Sequence, residues 1–458
     1  MYYLMSDGIQ YAGEYTNAEF TLFSSSGSVI GIERQGLVIN IYENIYSPSM
    51  SGEILFLDTN SFVKNLPIIG QEYIVLKLHT KGDKSRSGLI EQVFYIDKIT
   101  GRTMQNNMEM FVLHFCSPEQ IRNERVRVSQ SYTGSIDSTV NTILQSPKYI
   151  NTKKNLFIEE TAGVRKVISP NMNPFRFINR LAEESISKKY NSPYFLFFEN
   201  NEGIHFETLN NLYRRPILAE YTTSDTEGAS HPRDVIDEYS RPISYKMLNT
   251  NDMISNIQGG LLASKMTSYD IFNKNYEITT HGYFDDFLKH DRLSNIPIYN
   301  TNYIDDQHTI QDFPDAKVNV HPKSTVNGKD ATYYSGQQAT YDANQIERSL
   351  MDRQAKIMEM TKGVRVRVSV QGQTNLSVGN PVNFNLLTAG NPHDDSDFDP
   401  YYTGTYLITE LQHTFSEIQG KNHTITMTLF KDGFSKELPR GNDAKEPIPR
   451  TSAVAYRT

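Results

Sequence analysis

GVRVRVSV (363–370), NLSVGNPVNFNLLT (375–388), TYLITEL (405–411) and HTITMTLF (423–430) make a run of short segments in which apolar residues recur at every second position, and the chain writes the same run once before. The earlier copy reads GEILFLD (52–58), NLPIIGQEYIVLKLHT (65–80), VFYIDKIT (93–100) and MEMFVLHF (108–115). Period-two alternation places one face of each segment in a core, and glycine turns between short strands indicate a barrel or sandwich. In both runs an Asn-Leu pair precedes a turn glycine (Gly70, Gly379), and a polar turn with glycine (Gly101, Gly420) precedes the last strand. Two similar barrels in one subunit are what a ring-builder needs, because its oligomer presents twice as many similar units as it has chains.

The totals agree with a structural part. A length of 458 residues predicts about three domains. Hydrophobic residues make up 38% and charged residues 21%, a globular but polar balance. The formal charge is -8, from 53 acidic against 45 basic residues. Proteins that track phosphates rely on Lys and Arg to release counterions, so tight nucleic-acid binding is not expected, whereas an acidic surface would let a passing nucleic acid slide. No stretch reaches the roughly 20 apolar residues that cross a bilayer, and the first residues lack the profile of a signal peptide, so a soluble, unexported product without membrane insertion is expected. Cys116 is the only cysteine, which leaves no thiolate zinc site within one chain and predicts a buried, inert thiol.

Along the chain the expected division is a first barrel over 1–116, an α+β insert over 117–215, a connector with the first strands of the second barrel over 216–291, an irregular contact segment over 292–341, a helix and the rest of the second barrel over 342–436, and an extended arm over 437–458. The insert shows a helix at Ser135–Gln145, a second opened by Asn173 and Pro174, and a hairpin turning at Asn200–Gly203. The segment 292–341 lacks periodicity, as a loop used for contact does. Asp342 and Gln345 form a capping box ahead of the stripe Ile346, Leu350, Ile357 and Met360. The arm should be ordered only by a neighbour, with Val454 and Tyr456 as anchors.

No residue set assembles into an active site, so no catalytic, cofactor or metal residue is assigned and no cofactor is expected. Asp395, Asp397 and Asp399 alternate as calcium-loop oxygens do, but Pro400 and Tyr406 stand where such a loop needs Gly and Glu, which favours a solvated acidic loop. Glu159–Glu160 and Glu183–Glu184 are adjacent carboxylates, which rarely flank one scissile bond. Zincin, nucleophile-elbow and phosphate-loop spacings do not occur. Arg365 and Arg367 share one face of a strand and are expected to meet acids of a neighbouring subunit.

Barrel, insert, helix and second barrel in this order resemble the central baseplate hub protein of contractile-tailed, T-even-type bacteriophages, related to the N-terminal hub part of type VI secretion spike proteins. The run from Glu347 to Phe430 carries most of the likeness; the first barrel and insert match in order and spacing. The resemblance implies an α+β, mainly β chain with two tail-tube-like barrels, acting as a non-enzymatic homotrimer that adapts a hexameric tail tube to a trimeric central spike and lets the genome pass. Its implied partners are the spike, tail tube or tube-initiator proteins, with a tape-measure protein as a further candidate, and its implied place is the virion tail after assembly in the host cytoplasm. The alternatives are a cell-wall-degrading or a carbohydrate-binding tail component; 28 tyrosines suit the second, the absence of Trp does not.

Overall fold

The computed structural model describes residues 11–33, 35–58, 68–81, 89–105, 108–223, 235–270, 274–300, 308–323, 325–326, 329–330, 342, 346–388, 398–418 and 420–438. Asp395, Asp397, Gln345, Val454 and Tyr456 lie outside them.

The first barrel is made of β1 (Tyr15–Phe23), β2 (Val29–Gly31), β3 (Gly36–Asn44), β4 (Ser51–Asp58), β5 (Tyr73–Thr80), β6 (Leu89–Gln105) and β7 (Met108–Cys116). Alternation decides which side chains it buries. In β5, Ile74, Leu76 and Leu78 are buried while Tyr73, Val75 and Lys77 are half-exposed. They meet Phe20, Phe56, Phe94, Phe111 and Phe115 in one core, at about 1.5–3 kcal/mol for each large side chain taken out of water.

The insert follows: α1 (Pro118–Arg125), β8 (Ser131–Gly134), α2 (Ile136–Gln145), β9 (Leu156–Ile158), β10 (Arg165–Ile168), α3 (Pro174–Glu184), β11 (Phe195–Asn200), β12 (Gly203–Thr208) and α4 (Leu209–Tyr213). Helices α2 and α3 lay Val140, Ile143, Phe175, Ile178 and Leu181 on the sheet of β11, β12 and β9, giving a core of their own. Phe175 N–H at the start of α3 donates to Asn123 Oδ1 at 2.8 Å, so a neighbouring helix supplies the capping bond that the Asn173 side chain does not make to its own helix.

The chain then runs through β13 (Glu220–Thr222), α5 (Val235–Tyr239), β14 (Pro242–Asn249), α6 (Met253–Gly259), β15 (Ala263–Asp270), β16 (Asn275–Gly282), α7 (Tyr283–Lys289), β17 (Val318–Lys323), β18 (Thr325–Val326), β19 (Lys329–Asp330) and α8 (Ile346–Lys362). It ends the described fold with β20 (Val364–Gln371), β21 (Pro381–Asn385), β22 (Gly404–Ser416) and β23 (Asn422–Lys431). Within the stretch expected to be irregular, β17 pairs in parallel with β15, and β16 pairs on the other side of β15. The capping box expected at Asp342 and Gln345 includes residues outside the described ones; Asp342 itself is tied to the insert, its backbone N–H donating to Val164 O at 2.7 Å and its carboxylate accepting from Val164 N–H at 3.1 Å.

The duplication holds at the level of strand pairing. The first barrel is ordered β3-β4-β7-β6-β5 and the second β14-β20-β23-β22-β21. Gly70 and Gly379 turn at φ +86° and +84°, a conformation that only glycine adopts without strain. Both long strands carry a bulge at the corresponding place, between Ile96 and Lys98 in β6 and between Ile408 and Glu410 in β22. Beyond that bulge β22 leaves β21 and pairs with β3, so the two barrels become one 13-stranded sheet.

Candidate functional site: the barrel join and its strand edges

Strand β22 meets β3 antiparallel from Glu410↔Asn44 to Ser416↔Val38. A strand edge presents unpaired N–H and C=O groups, and here the second barrel supplies the strand that satisfies them. Phe415 inserts into the core of the first barrel, 1% exposed, opposite Ile39 at 3%. Its ring stacks on His423 at 4.0 Å and meets Tyr15 edge-on at 5.1 Å. Polar side chains outside the core match too: Thr414 Oγ1 donates to Asn40 Oδ1 at 2.9 Å, and Gln412 Nε2 donates to the same oxygen at 3.3 Å. Behind the aromatic cluster, His413 and His423 share a 3.0 Å hydrogen bond; full burial holds His413 down to about 3, and burial with the neighbouring His413 holds His423 well below its ordinary value.

Buried acids lock the insert against this join. Glu43 of β3 accepts N–H bonds from Val378 and Asn201, each at 3.0 Å; burial pushes its carboxyl up to about 8 against the lowering effect of those bonds. Glu199 of β11 accepts from Met50 N–H at 3.0 Å and Ser117 Oγ at 2.9 Å and pairs with Lys154, which also meets Glu119 at 3.2 Å. On the second barrel, Arg292 binds Glu359 at 2.8 Å and Asp286 at 3.0 Å, Lys356 bridges Glu359 and Asp432 at 2.7 and 3.3 Å, and Asp432 accepts from the N–H groups of Leu293 and Ser294. This network fixes the start of the 292–341 stretch to α8 and β23.

Asp399 accepts the N–H groups of Tyr401 and Tyr402 at 2.8 and 2.9 Å, a turn-forming role. Glu159 is hydrogen-bonded to Ser187 and Thr208, Glu160 pairs with Lys188, and Glu184 with Arg165 and Arg180. Glu183 lines a groove of about 460 Å³ between α3 and α8 with Arg353, whose guanidinium donates to Phe195 O and is pushed down to about 10 by burial. Arg365 finds its acid within the chain, Glu410 at 3.4 Å, whereas Arg367 is exposed beside Lys246. Burial raises the Cys116 thiol to about 12, which leaves it unreactive.

Among the described residues one group has metal-ligand composition, His281, Asp286 and Asp352. Its members already bond within the fold: His281 and Asp352 bond each other at 2.9 Å, and Asp286 accepts from Tyr194 OH at 2.8 Å and from Arg292. An arginine in the same site opposes a cation, so the group belongs to the ion-pair network.

Two further strand edges carry the other half of the site. Among the described residues β14 ends the sheet, paired only with β20, and β6 beyond Tyr95 is paired only with β7. Both edges show large apolar side chains: Met104 on β6, and Ile243 and Tyr245 on β14. Sequence reasoning missed Glu43, Glu199, Arg292, Glu359 and Asp432, because a buried charge looks like a surface charge until its partner is placed; Glu43 alone, as an acid on the buried side of an alternating strand, offered a signal.

No family model and no curated protein matches the chain. Solved structures do. A tail protein from Neisseria meningitidis superposes with a TM-score of 0.52 at 10% identity, covering 92% of this chain and 98% of that one. The 43 kDa tail protein of prophage MuSo2 from Shewanella oneidensis gives 0.51 at 9% identity, with 90% and 98% covered. An Escherichia coli protein described as a component of the type VI secretion system gives 0.42 at 11% identity, with 89% and 77% covered. The chain shares the mainly β tail-protein fold of the first two.

Proposed function

We propose that this chain is the structural hub of a phage tail baseplate, a homotrimer whose six barrel units form a ring between a sixfold tail tube and a threefold central spike. One observation carries the reading: two barrels of equal strand order are joined edge to edge by β22 and β3. A contact that already links two similar units inside a chain, repeated between chains, generates a closed ring when the rotation permits. The tail-protein fold supports a place in the virion tail.

Partners at the two faces of the ring would be the spike on one side and tube, tube-initiator or tape-measure proteins on the other. The role is to hold and to let pass. Glu159, Glu160, Glu184 and Asp399 are bound to neighbouring donors and serve the fold, and a net charge of -8 per chain suits a lumen through which DNA slides without being gripped. The 437–458 arm would reach an adjacent subunit or tail protein. Negative-stain microscopy with native mass measurement tests the reading. A three-chain ring with a central hole is expected; a monomer at all concentrations, or an open filament, overturns it.

A further inference from the structure

We propose that the distal half of β6 in one copy of the chain adds to the open edge of β14 in the next, closing the second barrel across the subunit boundary as β22 closes the first within the chain. The proposal rests on the ring reading for one thing only, that copies of this chain meet. Where they meet follows from register.

The two barrels can be aligned through their strand pairings and bulges; β6 carries one further bulge, between Thr100 and Thr103, that β22 lacks, and beyond it the pairing with β7 sets the counterpart, Thr103↔Met110 matching Thr414↔Thr424. Ile96↔Phe115 followed by Lys98↔His114 in the first corresponds to Ile408↔Leu429 followed by Glu410↔Thr428 in the second. The slip between Gly36 and Val38 in β3 likewise corresponds to the slip between Pro242 and Ser244 in β14. These matches make β6 the counterpart of β22 and β14 the counterpart of β3. Carrying the observed join through the alignment turns Thr414↔Asn40 into Thr103↔Lys246, and Phe415↔Ile39 into Met104↔Tyr245.

The chemistry of the projected pairs fits. Phe415 and Ile39 are buried, whereas their counterparts Met104 and Tyr245 are 77% and 47% exposed, large apolar groups left in water on strand edges. Tyr245 already leans on Phe384 of the second core at 6.0 Å, so a methionine opposite it would enter that core as Phe415 enters the first. Ile243, 54% exposed on the same edge, would be covered in the same step. An edge of this kind is a template for strand addition, with backbone bonds supplying attachment and alternate side chains supplying register. The two edges differ from each other, so the contact is head-to-tail and the partner that fits is a second copy.

Cysteine pairs test the register, because directly opposed residues bring Cβ atoms within about 4.5–5.5 Å. The double variant Thr103→Cys with Lys246→Cys, oxidised mildly, should give linked dimers and a covalently closed trimer. A mixture of T103C chains with K246C chains should give linked dimers only, and neither alone should link. Hydrogen exchange on the unaltered chain provides a second readout, with amides in 98–104 and 243–247 gaining protection together on assembly. A three-chain ring by native mass without links and without that protection overturns this join while leaving the ring reading intact. Linking of T103C with itself would mean a twofold contact and overturns the join. A chain that stays single at all concentrations overturns the join and the ring reading alike.

Discussion

Strands β3 and β14 occupy the same place in two barrels of the same order, yet β3 buries Ile39 and Ile41 while β14 leaves four consecutive residues from Ile243 to Lys246 exposed. Residue type does not explain the difference, since both strands alternate apolar side chains. A partner strand does. Strand β22 covers β3, and among the described residues nothing pairs with the outer edge of β14. The exposure of an edge strand is thus a statement about its neighbour more than about its own composition.

Breaking the join is the strongest test of that contrast. Phe415→Ala should cost about 3–5 kcal/mol by urea denaturation, the range for emptying a buried aromatic site, whereas Met104→Ala at its counterpart position should stay within about 0.5 kcal/mol in dilute, single chains. Equal losses would mean that Met104 already packs as Phe415 does. The barrels also differ in the polar groups beside their cores. Arg292→Ala should destabilise the second barrel by about 3 kcal/mol, because Glu359 and Asp286 lose a buried partner; the low end of the range is expected since Lys356 still faces Glu359. Arg292→Lys should recover part of the loss in the same thermal unfolding measurement.

A smaller effect should appear in the pH dependence at the join. The Glu43 carboxyl is raised from an ordinary 4.5 to about 8 by burial, so the folded chain holds a proton that the unfolded chain releases. Stability from this group is full below the ordinary value and is lost as pH rises towards about 8. Against Glu43→Gln, the natural chain should therefore lose stability between about pH 5 and pH 8 in paired denaturation curves; parallel curves would show that Glu43 stays charged. The smallest effect concerns the surface. A gel shift at low salt should show no retention of duplex DNA, and tight, salt-sensitive binding would place Lys and Arg where acids are expected to dominate.

Much of the barrel architecture was legible because it depends on local rules. Alternation in 73–80 and 364–370 set which side chains face a core, and Gly70 and Gly379 marked turns that need positive φ. The stretch 292–341 was not legible, since the strand Val318–Lys323 is short, contains Pro322 and exists through its pairing with β15. Asp342 also bonds Val164, 178 positions away in sequence, a contact that no local motif marks.

The sequence by itself determined the strands, their turns and their repetition, because side-chain period and backbone preference act over a few residues. Only the tertiary structure decided that β22 crosses to β3, that Glu43, Glu199 and Arg292 find partners in distant segments, and that among the described residues β6 and β14 are left with open edges. Those outcomes depend on which surfaces meet after the chain has folded back on itself, and burial and charge pairing favour one such meeting without marking it in any short stretch of residues.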